Sequence, residues 1–240
     1  MSQPSNSLLN SLPAADFAVL RPHLKSVDLV QGDILFDIGD PIHQVYFPLS
    51  GIVSLVVSLA TGETIESAMI GRESVVGGSA GLNGNVSVCK AVVQIAGSAS
   101  VMDADWLRRL AGTSAASRAA LFRHEQLILV QAQQSAACNA THTVEARLAR
   151  WLLRSRDLQG SDDLVLTQEF LGQMLGVRRT SVSVVANTFQ QAGFIRYSRG
   201  HIRILNLEGL RETTCECYQS VKSQADRLLA GPYKSIAASK

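Results

Sequence analysis

The stretch LTQEFLGQMLGVRRTSVSVVANTFQQAGFIRYSRGHIRIL, residues 166–205, decides the fold. Leu164–Leu166 reads as a short strand that leads into it. Thr167 is a good helix N-cap, and Phe170, Leu171, Met174 and Leu175 then fall on one apolar face. Gly176 ends that helix, because glycine enters the left-handed conformation without a Cβ clash. After Val177 a second helix runs to Ala192, with Val182, Val185, Ala186 and Phe189 inward at spacings of three, four and three. Gly193 stops it. Phe194–Tyr197 and Ile202–Leu205 are two strands joined at Ser198-Arg199-Gly200-His201, a compact hairpin. Helix, glycine turn, helix, hairpin is the order of a winged helix-turn-helix.

The second helix of that unit carries the chemistry of a polyanion reader. Its first turn exposes Arg178, Arg179, Thr180 and Ser181, and Ser183, Val184 and Asn187 continue along the outer face. Helix N-terminal amides attract phosphate, and arginine grips a guanine edge through two parallel hydrogen bonds. Residues 166–205 hold five arginines against one glutamate, which suits DNA. The chain as a whole is only +2, which excludes a histone-like polycation. The near-balance hides a split: residues 1–140 carry 8 basic and 11 acidic side chains, residues 141–240 carry 14 and 9. The basic module is therefore C-terminal.

Upstream the texture is different. Short β-branched runs follow one another at Val27–Val30, Ile34–Phe36, Val45–Phe47, Ile52–Leu59, Thr64–Ile70, Val86–Gln94 and Ser98–Met102. Turns such as Gly32-Asp33, Gly39-Asp40-Pro41 and Thr61-Gly62-Glu63 separate them. This spacing predicts a sandwich, barrel or jelly roll. Residues 8–24 read as a helical lead-in. From Asp105 to Ala137 the period becomes helical, with rows Leu121/Ile128/Ser135 and Phe122/Leu129/Ala136. Two adjacent heptad rows make a broad face, read as a dimer seam, with packing on the chain's own β domain as the alternative. Cys138-Asn139-Ala140-Thr141 interrupts the stripe, and Thr143 caps a further helix. Leu148, Trp151 and Leu152 line one face of that helix, and Arg147, Arg150, Arg154 and Arg156 give it a basic one. The chain, 240 residues with 46% hydrophobic and 18% charged side chains, thus divides into a β-roll sensor over 1–104, a dimerisation helix and hinge over 105–140, and a DNA-binding unit over 141–240.

The order of these parts resembles the cAMP receptor/FNR (CRP/FNR) family of bacterial transcription regulators. The resemblance covers about residues 20–206. It rests on Gln31-Gly32-Asp33, the Tyr46–Gly51 turn, the glycine-rich Gly71–Gly84 segment, the long helix and, above all, Leu166–Val182. It implies an α+β fold: an N-terminal cyclic-nucleotide-binding-type β-roll, a long dimerisation helix and a C-terminal winged helix. It further implies a homodimer on double-stranded promoter DNA, with RNA polymerase as a partner. Arg179 matches the family's base-reading arginine. Thr180 stands where many members have Glu, and Val184 where they have a second Arg, so the operator should differ. Thr167, Arg178, Ser181, Asn187, Arg199 and His201 fall at phosphate-contacting positions. Nucleotide-binding members carry Gly-Glu and, about ten residues on, Arg-Ser or Arg-Thr. Here Gly77 is followed by Gly78, and the later segment reads Ser87-Val88-Cys89-Lys90. The ribose-binding acid and the phosphate-binding arginine are both missing, so cyclic AMP is not the expected effector. Lys90 offers a phosphate only a point charge. The first cysteine is Cys89, which argues against the N-terminal iron–sulfur cluster of oxygen-sensing members.

Other signals are weaker. Gly77-Gly78-Ser79-Ala80-Gly81 matches G-x-S-x-G, but Leu82-Asn83-Gly84-Asn85 follows as a loop, not a helix. A serine hydrolase using Ser79 with His142 or His201 is the enzymatic alternative, and a binding module with vestigial DNA contacts is the other. One helix is expected from Leu207 to Leu229, with Leu210, Thr214, Cys217, Val221 and Leu228 inward and Cys215 turned away. Cys217 reads as a small core residue, with a metal or redox pair of Cys215 and Cys217 as the alternative. Neither metal nor cofactor is expected, His23, His43 and His124 being isolated. Cys138 sits at the hinge, where a thiol switch would be mechanically sensible. No apolar run is long enough to cross a membrane, no signal peptide is visible, and the expected location is the cytoplasm.

Overall fold

A computed structural model describes residues 6–60 and 62–229. Of the sequence readings, Thr61 of the expected turn and the two chain ends (1–5 and 230–240) lie outside the described residues. The elements run α1 (Ser7–Ser11), α2 (Ala14–Leu20), β1 (Lys25–Leu29), β2 (Ile34–Phe36), β3 (Gln44–Pro48), β4 (Ile52–Ser58), β5 (Thr64–Ile70), β6 (Lys90–Ile95) and β7 (Gly97–Asp103). Then come α3 (Ala104–Thr113), α4 (Ala115–Thr141), α5 (Val144–Gln159), β8 (Asp163–Val165), α6 (Gln168–Leu175) and α7 (Arg179–Gln191). β9 (Ile195–Ser198), β10 (His201–Ile204), α8 (Leu207–Thr213) and α9 (Cys217–Leu229) complete the order.

The N-terminal half is a β-roll of two antiparallel sheets, ordered β1-β7-β3 and β2-β6-β4-β5. β4 is apolar on both faces and buried from Ile52 to Val56, because it is covered from both sides. Val53, Leu55, Val93 and Ala99 fill the roll together with Leu29 and Phe36. Val45, Phe47 and Met102 turn outward onto α1, α2, α3 and α4, where Leu9, Leu20, Leu107 and Leu121 meet them.

The helical stretch from Asp105 is two helices rather than one. Ser114 is extended and caps α4, its hydroxyl accepting the Ser117 amide. The Ser114 and Ser117 hydroxyls both donate to the Asp16 carboxylate at 2.5 Å. A serine that can cap, with an acid to receive it, breaks a helix that apolar periodicity alone would continue. The expected interruption at Cys138–Thr141 is absent: α4 continues to Thr141, and the chain leaves it at the extended His142.

The two heptad rows of α4 have different fates. Leu121 and Ser135 are buried and Ile128 packs on the roll, so this row belongs to the chain's own core. Only Phe122 and Leu129, 55% and 56% exposed, and the exposed Ala136 face outward.

The basic face expected on α5 is also corrected. Arg147 is buried and donates to the Leu175 carbonyl. Arg154 pairs with Glu73 of the sensor half at 3.0 Å, and Arg156 with Asp162 at 2.6 Å. Beside them Trp151 is fully buried, and its indole Nε1 donates to Glu66 Oε1 on β5 at 3.0 Å. The Ser54 hydroxyl donates to the other Glu66 oxygen. Burial pushes the Glu66 carboxyl up to about 7, against the opposing pull of these hydrogen bonds and of Arg150 and Arg154. A single apolar cluster joins Ile52, Val56, Met69 and Ile95 of the roll to Trp151, Leu171, Val182, Phe189 and Ile202. The C-terminal unit therefore shares a core with the sensor.

The C-terminal helix divides at Thr214 into α8 and α9. Cys217, Val221 and Leu210 are buried as expected, but Cys215 is buried too and faces Cys138, not solvent.

Candidate nucleic-acid interface

Each functional residue is placed by a local rule of the chain. Thr167 N-caps α6, its hydroxyl oxygen accepting the Phe170 amide at 3.2 Å. The hydroxyl hydrogen stays available to an external acceptor. Gly176 closes α6 in the left-handed conformation, φ 60°. Its missing side chain also lets β5 approach, since a Cβ there would lie 2.8 Å from Ile65 Cγ1. Gly172 was not singled out by the sequence. A Cβ on it would meet the Val177 carbonyl at 2.9 Å, so glycine inside α6 is what allows the turn to fold back. The signal was present as a glycine in a helix interior, a position that otherwise weakens the helix.

α7 begins with Arg178 as its N-cap residue, and no side chain caps it. In α4, α5 and α6, Ser114, Thr143 and Thr167 fill that role. The first amides of α7 are thus left for an external acceptor, at the positive end of the helix. Arg178, Arg179 and Thr180 are exposed there, and Ser181 is half-buried. One turn on, Val184 is 67% exposed and Asn187 is exposed. Val182, Ala186 and Phe189 hold the opposite side in the core. The Ser183 hydroxyl faces inward rather than out, donating to Gln168 Oε1 at 2.6 Å and so fixing α7 on α6.

The wing is the three-stranded sheet β8-β10-β9. Its two-residue tip has Arg199 at φ 49° and Gly200 at φ 81°. Both central residues positive is the hairpin turn whose twist matches the strands. An arginine held there is a local cost that a structural turn residue such as Asn would reduce. Arg199 and His201 are exposed. The Gly200 carbonyl accepts the Leu166 amide at 2.7 Å, which sets the wing tip beside Thr167 at the start of α6. The Gln190 side chain accepts the Tyr197 amide at 2.9 Å and ties α7 to the wing.

The segment of the β-roll where the sequence departs from nucleotide-binding relatives is packed from within the chain. Residues Gly78–Leu82 form a short 3-10 turn. A Cβ on Gly78 would lie 2.8 Å from both His124 Cδ2 and Val75 Cγ1, so the position is filled from α4 and admits no acidic side chain. His124 is fully buried, contacts Ser74 Oγ, and burial pushes its imidazole down to about 4. Lys90 is held by Asp37 at 2.9 Å, and Val88 points into solvent. Ser79 donates to the Gly84 carbonyl at 3.3 Å, in a 3-10 turn rather than at a strand-to-helix elbow. His142 and His201, the residues considered as its partners, lie at the end of α4 and on the wing.

A β-roll, a long helix and a winged helix whose second helix is uncapped and bears arginines make up the fold of a two-part DNA-binding regulator. Two family models match the chain: a cyclic nucleotide-binding domain over residues 26–114 and a Crp-like helix-turn-helix domain over residues 146–213. The chain thus joins a cyclic nucleotide-binding-type roll to a Crp-like helix-turn-helix, the fold of CRP/FNR-type transcription regulators. FixK2 from Bradyrhizobium japonicum shares its fold with a TM-score of 0.70 at 19% identity, over 80% of this chain and 98% of that one. The c-di-GMP responsive global regulator CLP from Xanthomonas campestris does so at 0.64 and 16%, over 81% and 100%. A CooA mutant from Carboxydothermus hydrogenoformans gives 0.60 and 16%, over 88% and 96%. No curated protein sequence matches the chain. Among the described residues no helix is long and apolar enough to cross a membrane.

Proposed function

We propose that this protein is a sequence-specific transcription regulator that binds double-stranded promoter DNA as a homodimer, in the cytoplasm and with RNA polymerase as a partner. The observation that carries the reading is the start of α7, where free amides and two exposed arginines meet on a helix whose other side is locked in the core. Arg179 reads a base edge. Thr167, Arg178, Ser181, Asn187, Arg199 and His201 hold phosphates, and Thr180 and Val184 shape the groove contact. The outward row Phe122, Leu129 and Ala136 forms the two-fold seam. The role is regulatory rather than catalytic.

The sensor does not take cyclic AMP in this reading. His124 and Val75 fill the space at Gly78, and Lys90 is engaged by Asp37. A signal acts instead by changing how α4 and the roll pack on the C-terminal unit, through the core they share. The divisions 1–104, 105–140 and 141–240 then describe roles rather than separate cores.

The test is a pair of variants. Losing a bidentate base contact costs about 1–3 kcal/mol and relaxes specificity at one base pair per half-site. Losing a phosphate contact weakens binding on all sequences alike. Arg179→Ala should narrow the gap between specific and random DNA. Arg199→Ala should lower both affinities and keep their ratio. The site selected from random DNA should be a pseudo-palindrome with half-site centres about 10–10.5 base pairs apart. A single asymmetric half-site, or Arg179→Ala with undiminished discrimination, counts against the reading.

A further inference from the structure

Four side chains that lie far apart in sequence meet where α4 ends. Cys138 is on the last turn of α4, and His142 is the residue on which the chain leaves it. Cys215 and Cys217 bracket the turn from α8 into α9. Their ligand atoms all lie within 4.8 Å of one another. Cys138 Sγ is 3.5 Å from Cys215 Sγ, and Cys217 Sγ is 3.5 Å from His142 Nδ1. A tetrahedral zinc ion with Zn–S near 2.3 Å and Zn–N near 2.0–2.1 Å sets sulfurs about 3.8 Å apart and sulfur and nitrogen about 3.5 Å apart. The measured separations are close to two edges of that tetrahedron.

The surroundings suit an ion as well as the four ligand atoms do. His142 turns Nδ1 toward Cys217 and Nε2 toward Glu216, whose Oε2 is 3.3 Å away. A carboxylate on the far nitrogen fixes the tautomer that leaves the near one free to coordinate. Gln134 Nε2 donates to Cys217 Sγ at 3.0 Å, a second outer hydrogen bond of the kind that supports a thiolate. A crevice lined by Arg211, Thr214, Cys215, Glu216 and Tyr218 reaches the cluster at Cys215 and offers an entry path.

We propose that Cys138, His142, Cys215 and Cys217 bind one zinc ion in a Cys3His site that clamps the α8–α9 turn of the C-terminal unit to the end of α4. As the ion enters, three Zn–S bonds and one Zn–N bond form, and the three thiol protons leave to the buffer. The four ligands fill the coordination sphere, so the ion is structural and has no open position for chemistry. The ligands' mutual closeness matches a single ion, because the metal–sulfide cube of an iron–sulfur cluster holds its thiolates farther apart. The site joins α4 to the unit that carries α7, so a bound ion biases the packing through which a signal at α4 reaches α7. That last consequence rests on the DNA-binding reading, whereas the metal site does not.

The full-length protein, reduced and stripped with a chelator, is titrated with Co2+ and then Zn2+. About one equivalent of Co2+ per chain should give the intense visible bands of tetrahedral cobalt with a thiolate-to-metal charge-transfer band, and Zn2+ should bleach both. In mild denaturant, bound Zn2+ should slow the alkylation of Cys138, Cys215 and Cys217 by iodoacetamide relative to the chelated protein, and Cys89 should react at the same rate in both. Cys138→Ser and Cys217→Ser should lose the tetrahedral spectrum. His142→Ala, at a half-buried position, should shift it and weaken zinc affinity at least tenfold while the far-ultraviolet spectrum stays folded. Cys89→Ser should leave the cobalt spectrum and the zinc affinity unchanged. Failure of the folded, reduced protein to give tetrahedral cobalt bands would overturn the proposal. So would a His142→Ala protein with unchanged spectrum and affinity, or zinc that does not slow the alkylation of Cys138, Cys215 and Cys217. Zinc binding with no effect on DNA affinity would retain the site and count against its coupling to the reading helix; absence of DNA binding with or without zinc would count against the regulator reading alone.

Discussion

Glu66→Gln tests how the sensor and the C-terminal unit are joined. Glu66 lies on β5 and receives hydrogen bonds from Trp151 on α5 and from Ser54. It is buried, and burial raises its carboxyl from 4.5 to about 7. The native state therefore holds a proton that the unfolded chain releases at lower pH. The stability this contributes is complete below about pH 4.5 and is lost as the pH rises through about 7. At pH 8 the ionised carboxylate costs about 3 kcal/mol relative to the unfolded state. Glutamine has the same shape, keeps a carbonyl for the Trp151 indole and never ionises. The variant should match the wild type near pH 4.5 and exceed it at pH 8 by up to about 3 kcal/mol, which is about 6–12 °C in Tm for a chain of this size.

His124 acts in the opposite sense. Its imidazole is pushed down to about 4, so the fold loses stability as pH falls from about 6.5 toward 4. The two slopes overlap and partly cancel in the wild type. The informative quantity is the variant-minus-wild-type difference, obtained from urea unfolding at several pH values between 4.5 and 8, in which His124 drops out. A difference that does not change with pH, or a variant less stable than the wild type at pH 8, would refute the assignment of Glu66 as a buried, proton-holding carboxyl.

Leu129→Asp places a charge on the outward row of α4 and should give monomers by light scattering; an unchanged dimer would move the seam elsewhere. Gly78→Glu restores the acid of nucleotide-binding relatives but drives its Cβ against His124 and Val75. It should cost about 1–3 kcal/mol by overpacking and still show no heat with cyclic AMP, and a micromolar calorimetric constant would overturn the closed-cassette account. Thr167→Ala removes the cap of α6 and should destabilise the protein by about 1 kcal/mol in urea melts. If Thr167 also holds a phosphate, the same variant lowers affinity for specific and random DNA by the same factor.

Local rules make most of the reading module legible in the amino-acid sequence itself. Thr167, Gly176, Gly193 and the Arg199-Gly200 tip act through backbone geometry within a few residues, and a sequence carries that information in full. The alternation of the β-roll strands is of the same kind, as is the excess of arginine over residues 166–205. What depends on contacts distant in the chain is not legible. Two heptad rows on α4 look alike until one is known to lie against the roll and the other to face out. Four arginines on α5 look like a solvated stripe until Glu73 and the Leu175 carbonyl are brought beside them. Gly78 shows that an acid is missing, but only the tertiary fold puts His124 into that space. Cys138 and His142 precede Cys215 and Cys217 by more than seventy residues, and neither pair alone is a metal motif. A coordination site is defined by distances between atoms, and only the packing of α4 against the α8–α9 turn sets those.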